Sequence, residues 1–274
     1  MAYGNFKPTF WSKHIQHELE KIMIFKNDCD FKFEGEAGEG KRLKIVGVAP
    51  ISVGTYTPGQ DISFETGVST SVYLDIDQYK YFAFDVDDVD KAQAMDGMME
   101  AYTEEATRSM AENTDTWLAE QIAKSAGTIS NTTSGNSAAK CKAAIDTALT
   151  KLWENGVRMG KDKITIYLPP WVYSYMQDQL ITDKTQNDQL VKTGVLGLYK
   201  GAAVKMTNNV YNDGTDDYVI VKSSKAYAFC DGINSVEPGR HEKGFCDYIK
   251  GLHTYGGKMV RPKEAYTIKL HNGA

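Results

Sequence analysis

From Asp87 to Lys124 the chain runs without a proline, and Gly97 is the one glycine in the stretch. Met95, Met99, Tyr102, Ala106, Met110, Trp117 and the pair Gln121/Ile122 recur close to every 3.6 residues, the period that sets side chains on one face of a helix. Asp87, Asp88 and Asp90 stand at its start, where carboxylates accept from free N–H groups and favour the positive end of the helix dipole. At ~1.5 Å per residue such a helix is about 55 Å long, beyond the usual globular length. A rod of that size must carry the packing of whatever surrounds it.

Upstream of the rod the texture is extended. Residues 8–25 predict a short amphipathic helix, with Pro8 in its first turn and Trp11, Ile15, Leu19 and Ile22 along one face. A Gly/Glu-rich break spans Gly35–Gly40, and a β-branched run, Leu43–Val48, predicts a strand. Between Ala49 and Thr70, Pro50, Gly54, Pro58, Gly59 and Gly67 punctuate the chain as at a loop tip. Ser71–Val86 is extended again, with Val72, Leu74 and Ile76 alternating against Tyr73, Asp75 and Asp77. Two arms joined by such a tip make a long β-hairpin. A two-stranded ribbon is marginal alone, so this one should pack elsewhere, on a neighbouring copy of the chain.

Downstream the pattern is mixed α/β. Ser125–Ala138 is polar and reads as a linker. A helix follows over 138–155 with Ile145, Leu149 and Leu152 on one face, then a strand at Lys163–Leu168 stopped by Pro169 and Pro170, and a helix over 171–179. Thr182–Lys200 is polar and predicted mobile. Strands are expected at 203–206, 218–222 and 226–229, with Asn212-Asp213-Gly214 as a turn. The final stretch from Phe245 reads as two or three strands broken at Gly256-Gly257 and at Pro262.

Several motifs invite a chemical reading, and each has a simpler one. Gly35–Lys41 fits GxxxxGK, yet Arg42 stands where a phosphate loop needs Ser or Thr, Glu36 and Glu39 would repel phosphate, and a strand-like run follows. A hinge at the hairpin root fits better. His14, His17 and Glu18 are ordered HxxHE, unlike either zinc-protease motif. Asp85, Asp87, Asp88 and Asp90 lack the central glycine and terminal glutamate of a calcium loop, and position twelve is Asp96. Cys29, Cys141, Cys230 and Cys246 form no CxxC pair, so buried apolar thiols are expected. His241, His253 and His271 are scattered without evident partners, and no GxSxG elbow occurs. No catalytic, cofactor-binding or metal residue is therefore assigned, and no enzyme activity is expected. No run approaches a membrane span, and no signal peptide is evident. The net charge of −5 argues against a DNA-wrapping surface, while mild acidity suits the inner wall of a container for DNA.

In their order these features resemble the major capsid proteins of tailed bacteriophages, which share the Hong Kong-97 fold. Phe6-Lys-Pro8-Thr-Phe-Trp11 looks like their N-terminal arm, and the run from Gly38 to Glu65 like their extended E-loop hairpin. Leu74–Asp90 is similar to the returning strand and the entry to the spine helix, and Thr254–Leu270 to their C-terminal strands. The resemblance implies an α+β chain divided into an N-terminal arm and first helix (1–34), an E-loop hairpin (35–77), a peripheral domain with the spine helix (78–125 and 241–274) and an axial domain (126–240). It implies pentamers and hexamers of this chain in an icosahedral shell around double-stranded DNA, bound without sequence preference. Portal and scaffolding proteins are implied as partners, synthesis in the host bacterial cytoplasm and residence in the virion as its location. The chain starts almost at the arm, so a separate scaffolding protein is expected. No lysine lies between Ile45 and Tyr79, so isopeptide cross-linking from the loop tip is not expected. An encapsulin-like bacterial compartment shares the fold and is the alternative, and an enzyme with an unrecognised site in the second half is the reading from another class.

Overall fold

The computed structural model describes residues 23–33, 42–48, 51–56, 58, 59, 61, 64, 69–87, 98–134, 137–182, 197–242 and 244–271. The predicted helix over 8–25, the GxxxxGK loop and the histidines at 14 and 17 lie outside these residues, except that 23–25 enter a short 3-10 turn, Lys26–Asp28.

Three helices are described: α1 (Met98–Ser125), α2 (Ala138–Glu154) and α3 (Pro170–Thr182). The strands are β1 (Arg42–Val48), β2 (Ser69–Asp75), β3 (Gln78–Asp87), β4 (Gly127–Ser134), β5 (Ile164–Leu168), β6 (Leu198–Tyr199), β7 (Ala202–Met206), β8 (Asp216–Ser223), β9 (Tyr227–Arg240), β10 (Cys246–Met259) and β11 (Ala265–His271). They form a two-stranded ribbon β1-β2, a three-stranded sheet β3-β10-β9 and a six-stranded sheet β4-β11-β8-β5-β7-β6.

The six-stranded sheet is covered on both faces, and β5 is buried along its whole length. Alternation divides its side chains between two cores. Ile164, Ile166, Leu168, Val219 and Val221 face α2 and α3, meeting Ile145, Leu149, Leu152 and Val172. Tyr167, Tyr218 and Ile220 face the other way, onto Phe25, Leu118, Ala119 and Ile122. Ser137 caps α2 by accepting from Lys140 N–H, as its position before the apolar stripe predicts.

The long helix carries two sheets at once. Its C-terminal half joins the core of the six-stranded sheet through Leu118 and Ile122. Its first half packs Met110 and Ala111 on Val236, Ile249, Phe82 and Phe84 of the three-stranded sheet. The described part, about 42 Å at helical rise, starts at Met98. Asp88 and Asp90, expected to cap it, lie outside the described residues, and Asp87 ends β3. The buried face keeps Met110 and Ile122 of the expected one but is shifted around the helix. Thr103, Thr107, Thr114 and Asp115 are buried, whereas Tyr102 is exposed. Thr107 and Thr114 donate to the carbonyls of Thr103 and Met110 (2.7 and 3.0 Å), which lets polar residues line a core.

Three further expectations are corrected. The polar linker 125–138 is largely strand β4, which pairs parallel with β11 from Gly127↔Tyr266 onward. Gly256-Gly257 does not break the last segment, since β10 runs through both. A β-carbon at Gly256 would collide with the Asp75 carbonyl, and one at Gly257 with the Tyr227 ring, so these glycines permit close approach inside a strand. The extended stretch 71–86 is two strands, β2 pairing with β1 and β3 with β10. β11, grouped with the peripheral part, lies inside the six-stranded sheet, and β9, grouped with the axial part, lies in the three-stranded one.

Candidate interaction surface and buried ionic junction

The ribbon is anchored at one end and open at the other. Register runs from Arg42↔Asp75 at the root to Val48↔Ser69 toward the tip. At the root Leu74 and Ile45 are buried against Ala228 and Cys230 of β9, so part of the predicted packing partner is this chain itself. Arg42 Nε donates to Asp75 (2.5 Å). Away from the root, several of the described apolar residues find no cover. Val46, Ile51 and Tyr56 are exposed, and Val53 and Phe64 reach 98% and 96% exposure. Scattered apolar surface is ordinary, but five such side chains in one projecting ribbon mark a contact surface. A second exposed strip lies on the face of the three-stranded sheet opposite α1, where Tyr79 and Tyr81 of β3 stand beside Leu252 of β10.

Where the two sheets meet the N-terminal segment, the interior is ionic. The Asp28 carboxylate is fully buried and lies 2.7 Å from Lys163 Nζ and 2.6 Å from Lys205 Nζ. Tyr167 Oη donates to it (2.8 Å), and Lys222 Nζ donates to the Asp28 carbonyl (2.5 Å). Burial pushes the Asp28 carboxyl up, yet the hydrogen bonds from Lys163, Lys205 and Tyr167 outweigh it and hold it below 3.8. Phe25 stacks on Tyr167 with ring centroids 4.1 Å apart. Asp115 of α1 accepts the backbone N–H groups of Ile24 (3.2 Å) and Phe25 (3.1 Å). Burial raises its carboxyl, partly opposed by those bonds.

On the β9 side, Lys26 pairs with Asp231, which also meets His253 Nε2 at 3.1 Å. A bulge between His253 and Tyr255 in the β10–β9 register places Asp231 there. Burial raises the Asp231 carboxyl, but the His253 bond and Lys26 bring it below its ordinary value. Segment 23–30 is thereby bonded to α1, to the three-stranded sheet and to the six-stranded sheet.

Of the singled-out residues, His253 belongs to this junction, and His271 Nδ1 sits 2.9 Å from the Thr215 carbonyl at the end of β11. His241 and Cys246 meet Asp85, and Asp85 and His241 line an open cleft of about 700 Å³ with Arg240, Glu242, Tyr248 and Lys250. Burial raises the Cys29 and Cys141 thiols, which keeps them protonated and poorly nucleophilic. The junction itself escaped sequence reasoning because Asp28, Asp115, Lys205 and Lys222 are far apart in the chain. One signal was available: Lys222 ends the apolar run Tyr218–Val221, and a lysine there needs a buried partner. Chemically the arrangement fixes segments together, and the ribbon offers a surface for another molecule.

A family model described as Phage capsid protein matches residues 69–268. Among solved structures, the chain is similar to one from Mycobacterium phage Che8, at 27% identity and TM-score 0.79, with 90% of each chain covered. It is also similar to the capsid of the cyanophage P-SCSP1u, at 14% identity and TM-score 0.74, covering 92% of this chain and 89% of that one. A virus-like particle from Pyrococcus furiosus shares the fold at 10% identity and TM-score 0.63, over 95% and 98%. No curated protein matches the sequence.

Proposed function

Because the chain belongs to the phage capsid protein family, and is a structural subunit of a capsid shell that assembles with copies of itself and forms part of the virion, we propose how its parts divide that work. The exposed ribbon carries this reading: Val53 and Phe64 are almost wholly solvent-exposed in the single chain, and a neighbouring subunit is the surface that removes them from water. At ~25 cal/mol per Å² of apolar area, a few such side chains supply a modest contact, and a shell multiplies modest contacts through closure.

The three-stranded sheet with the first half of α1 forms the peripheral domain. The six-stranded sheet with α2 and α3, now including β11, forms the axial domain, whose copies gather in pentamers and hexamers. Segment 23–30 locks the two together through Asp28, Asp115 and Asp231. The shell encloses double-stranded DNA without reading its sequence, consistent with a net charge of −5. Scaffolding and portal proteins are its assembly partners, the host bacterial cytoplasm is its place of synthesis, and it performs no catalysis.

Deleting residues 49–67 tests the central claim. The variant should keep the circular dichroism and cooperative unfolding of the intact subunit while failing to form closed shells in negative-stain micrographs. Closed shells of normal size from the shortened chain would refute it.

A further inference from the structure

The fold gives His241 and Cys246 the partner that their sequence spacing lacks. We propose that Asp85, His241 and Cys246 form a binding site for one transition-metal dication of the zinc class, independent of how the shell assembles. β3 supplies Asp85, while His241 and Cys246 flank the turn between β9 and β10. The His241 N–H donates to the Cys246 carbonyl (3.1 Å), which fixes the spacing of these two residues. The three donor atoms, a carboxylate oxygen, a ring nitrogen and Sγ, lie within 4.8 Å of one another.

Tetrahedral zinc with bonds of ~2.0–2.3 Å spaces its donors by about 3.3–3.8 Å. Closure therefore asks each donor pair for at most about 1–1.5 Å, within reach of side-chain rotation. Asp85 and His241 are exposed and can adjust, and half-buried Cys246 serves as the anchor. The His241 ring lies against Tyr248, with centroids 5.0 Å apart, which limits its orientations.

Ligand chemistry selects the ion. Calcium and magnesium take oxygen donors, whereas a sulfur, an imidazole and one carboxylate suit zinc and its neighbours. Of the described cations lining the cleft, Arg240 is engaged by Asp247 (3.4 Å) and Lys250 by Glu237 (2.9 Å). Binding breaks the Cys246 S–H bond, the proton passes to solvent, and a sulfur lone pair forms the metal bond. No electron is transferred. Water from the open cleft completes the coordination. The ion would tie β3 to the β9–β10 turn.

Cobalt(II) reads this directly. Metal-free, reduced protein titrated with Co²⁺ should develop a near-ultraviolet thiolate-to-cobalt band with visible bands of tetrahedral cobalt. The signal should saturate at a single equivalent per chain and be displaced by Zn²⁺. Cys246→Ser should abolish the near-ultraviolet band, and His241→Ala should weaken binding by at least roughly tenfold. His241 is exposed and Cys246 half-buried, and both replacements are no larger than the originals, so unchanged circular dichroism is expected in each variant. No charge-transfer band in the unaltered protein, a band that survives Cys246→Ser, or unchanged affinity in His241→Ala would each overturn the site.

Discussion

Replacing Asp28 with alanine removes one carboxylate from three donors, and their exposures set the cost. The Tyr167 hydroxyl is fully buried and cannot reach water, so stranding it costs ~1–3 kcal/mol. Lys205 is one-third exposed and Lys163 more than half exposed, so both can swing outward and rehydrate. Their lost pairs add about 1–2 kcal/mol together, well below the ~3–5 kcal/mol of breaking a fully buried pair. Asp28→Ala should therefore destabilise the subunit by about 3–4 kcal/mol, and Asp28→Asn by about 1–2 kcal/mol, because the amide oxygen still accepts from Tyr167. The difference also has a pH signature. The folded carboxyl titrates below its ordinary 3.8, so its contribution is complete above that value and is lost as pH falls through the folded pKa. Denaturant unfolding of purified unassembled subunits, followed by circular dichroism between neutral pH and the acid limit, measures both effects. The reasoning is refuted if Asp28→Ala unfolds within about 1 kcal/mol of the parent, or if Asp28→Asn retains the parent's acid dependence.

Other perturbations separate folding from assembly. Gly256→Ala forces a β-carbon onto the Asp75 carbonyl and should cost about 2–4 kcal/mol, read as a lowered unfolding midpoint, whereas Gly54→Ala, with open space around it, should be neutral. Leu74→Ala empties a buried site at the ribbon root and should cost about 2–4 kcal/mol in the same assay. Val53→Ser with Phe64→Ser should leave that midpoint unchanged, since both side chains are exposed, yet slow or abolish shell formation in light scattering. Asp115→Ala, which leaves the Ile24 and Phe25 N–H groups without their acceptor, should speed amide exchange at those two residues before any global change.

What the sequence revealed follows from where apolar residues could speak for themselves. Ile145, Leu149 and Leu152 sit at helical spacing, and all three are fully buried on α2. Ile164–Leu168 ends at Pro169, as a buried strand stopped by proline should. The face of α1 was legible at Met110 and Ile122 but not throughout, because its core side includes Thr103, Thr107, Thr114 and Asp115, residues that a hydrophobic period assigns to solvent. Gly127–Ser134 was read as a linker because an edge strand bonded on one side need not be apolar. The junction around Asp28, beyond the hint at Lys222, and the meeting of Asp85 with His241 and Cys246 escaped for another reason. Their members come from distant segments, and spacing carries no information about contacts that only the sheets create.

The position of β11 sets a timetable for synthesis. This strand is the last described along the chain, yet it sits between β4 and β8, so the larger sheet stays split until residue 271 leaves the ribosome. Until then Ile220 and Val221 of β8 lack their hydrogen-bonding neighbours Thr267 and Tyr266. The complete sheet, and with it a subunit whose fold can meet other copies, therefore waits on a strand that lies after every other described element.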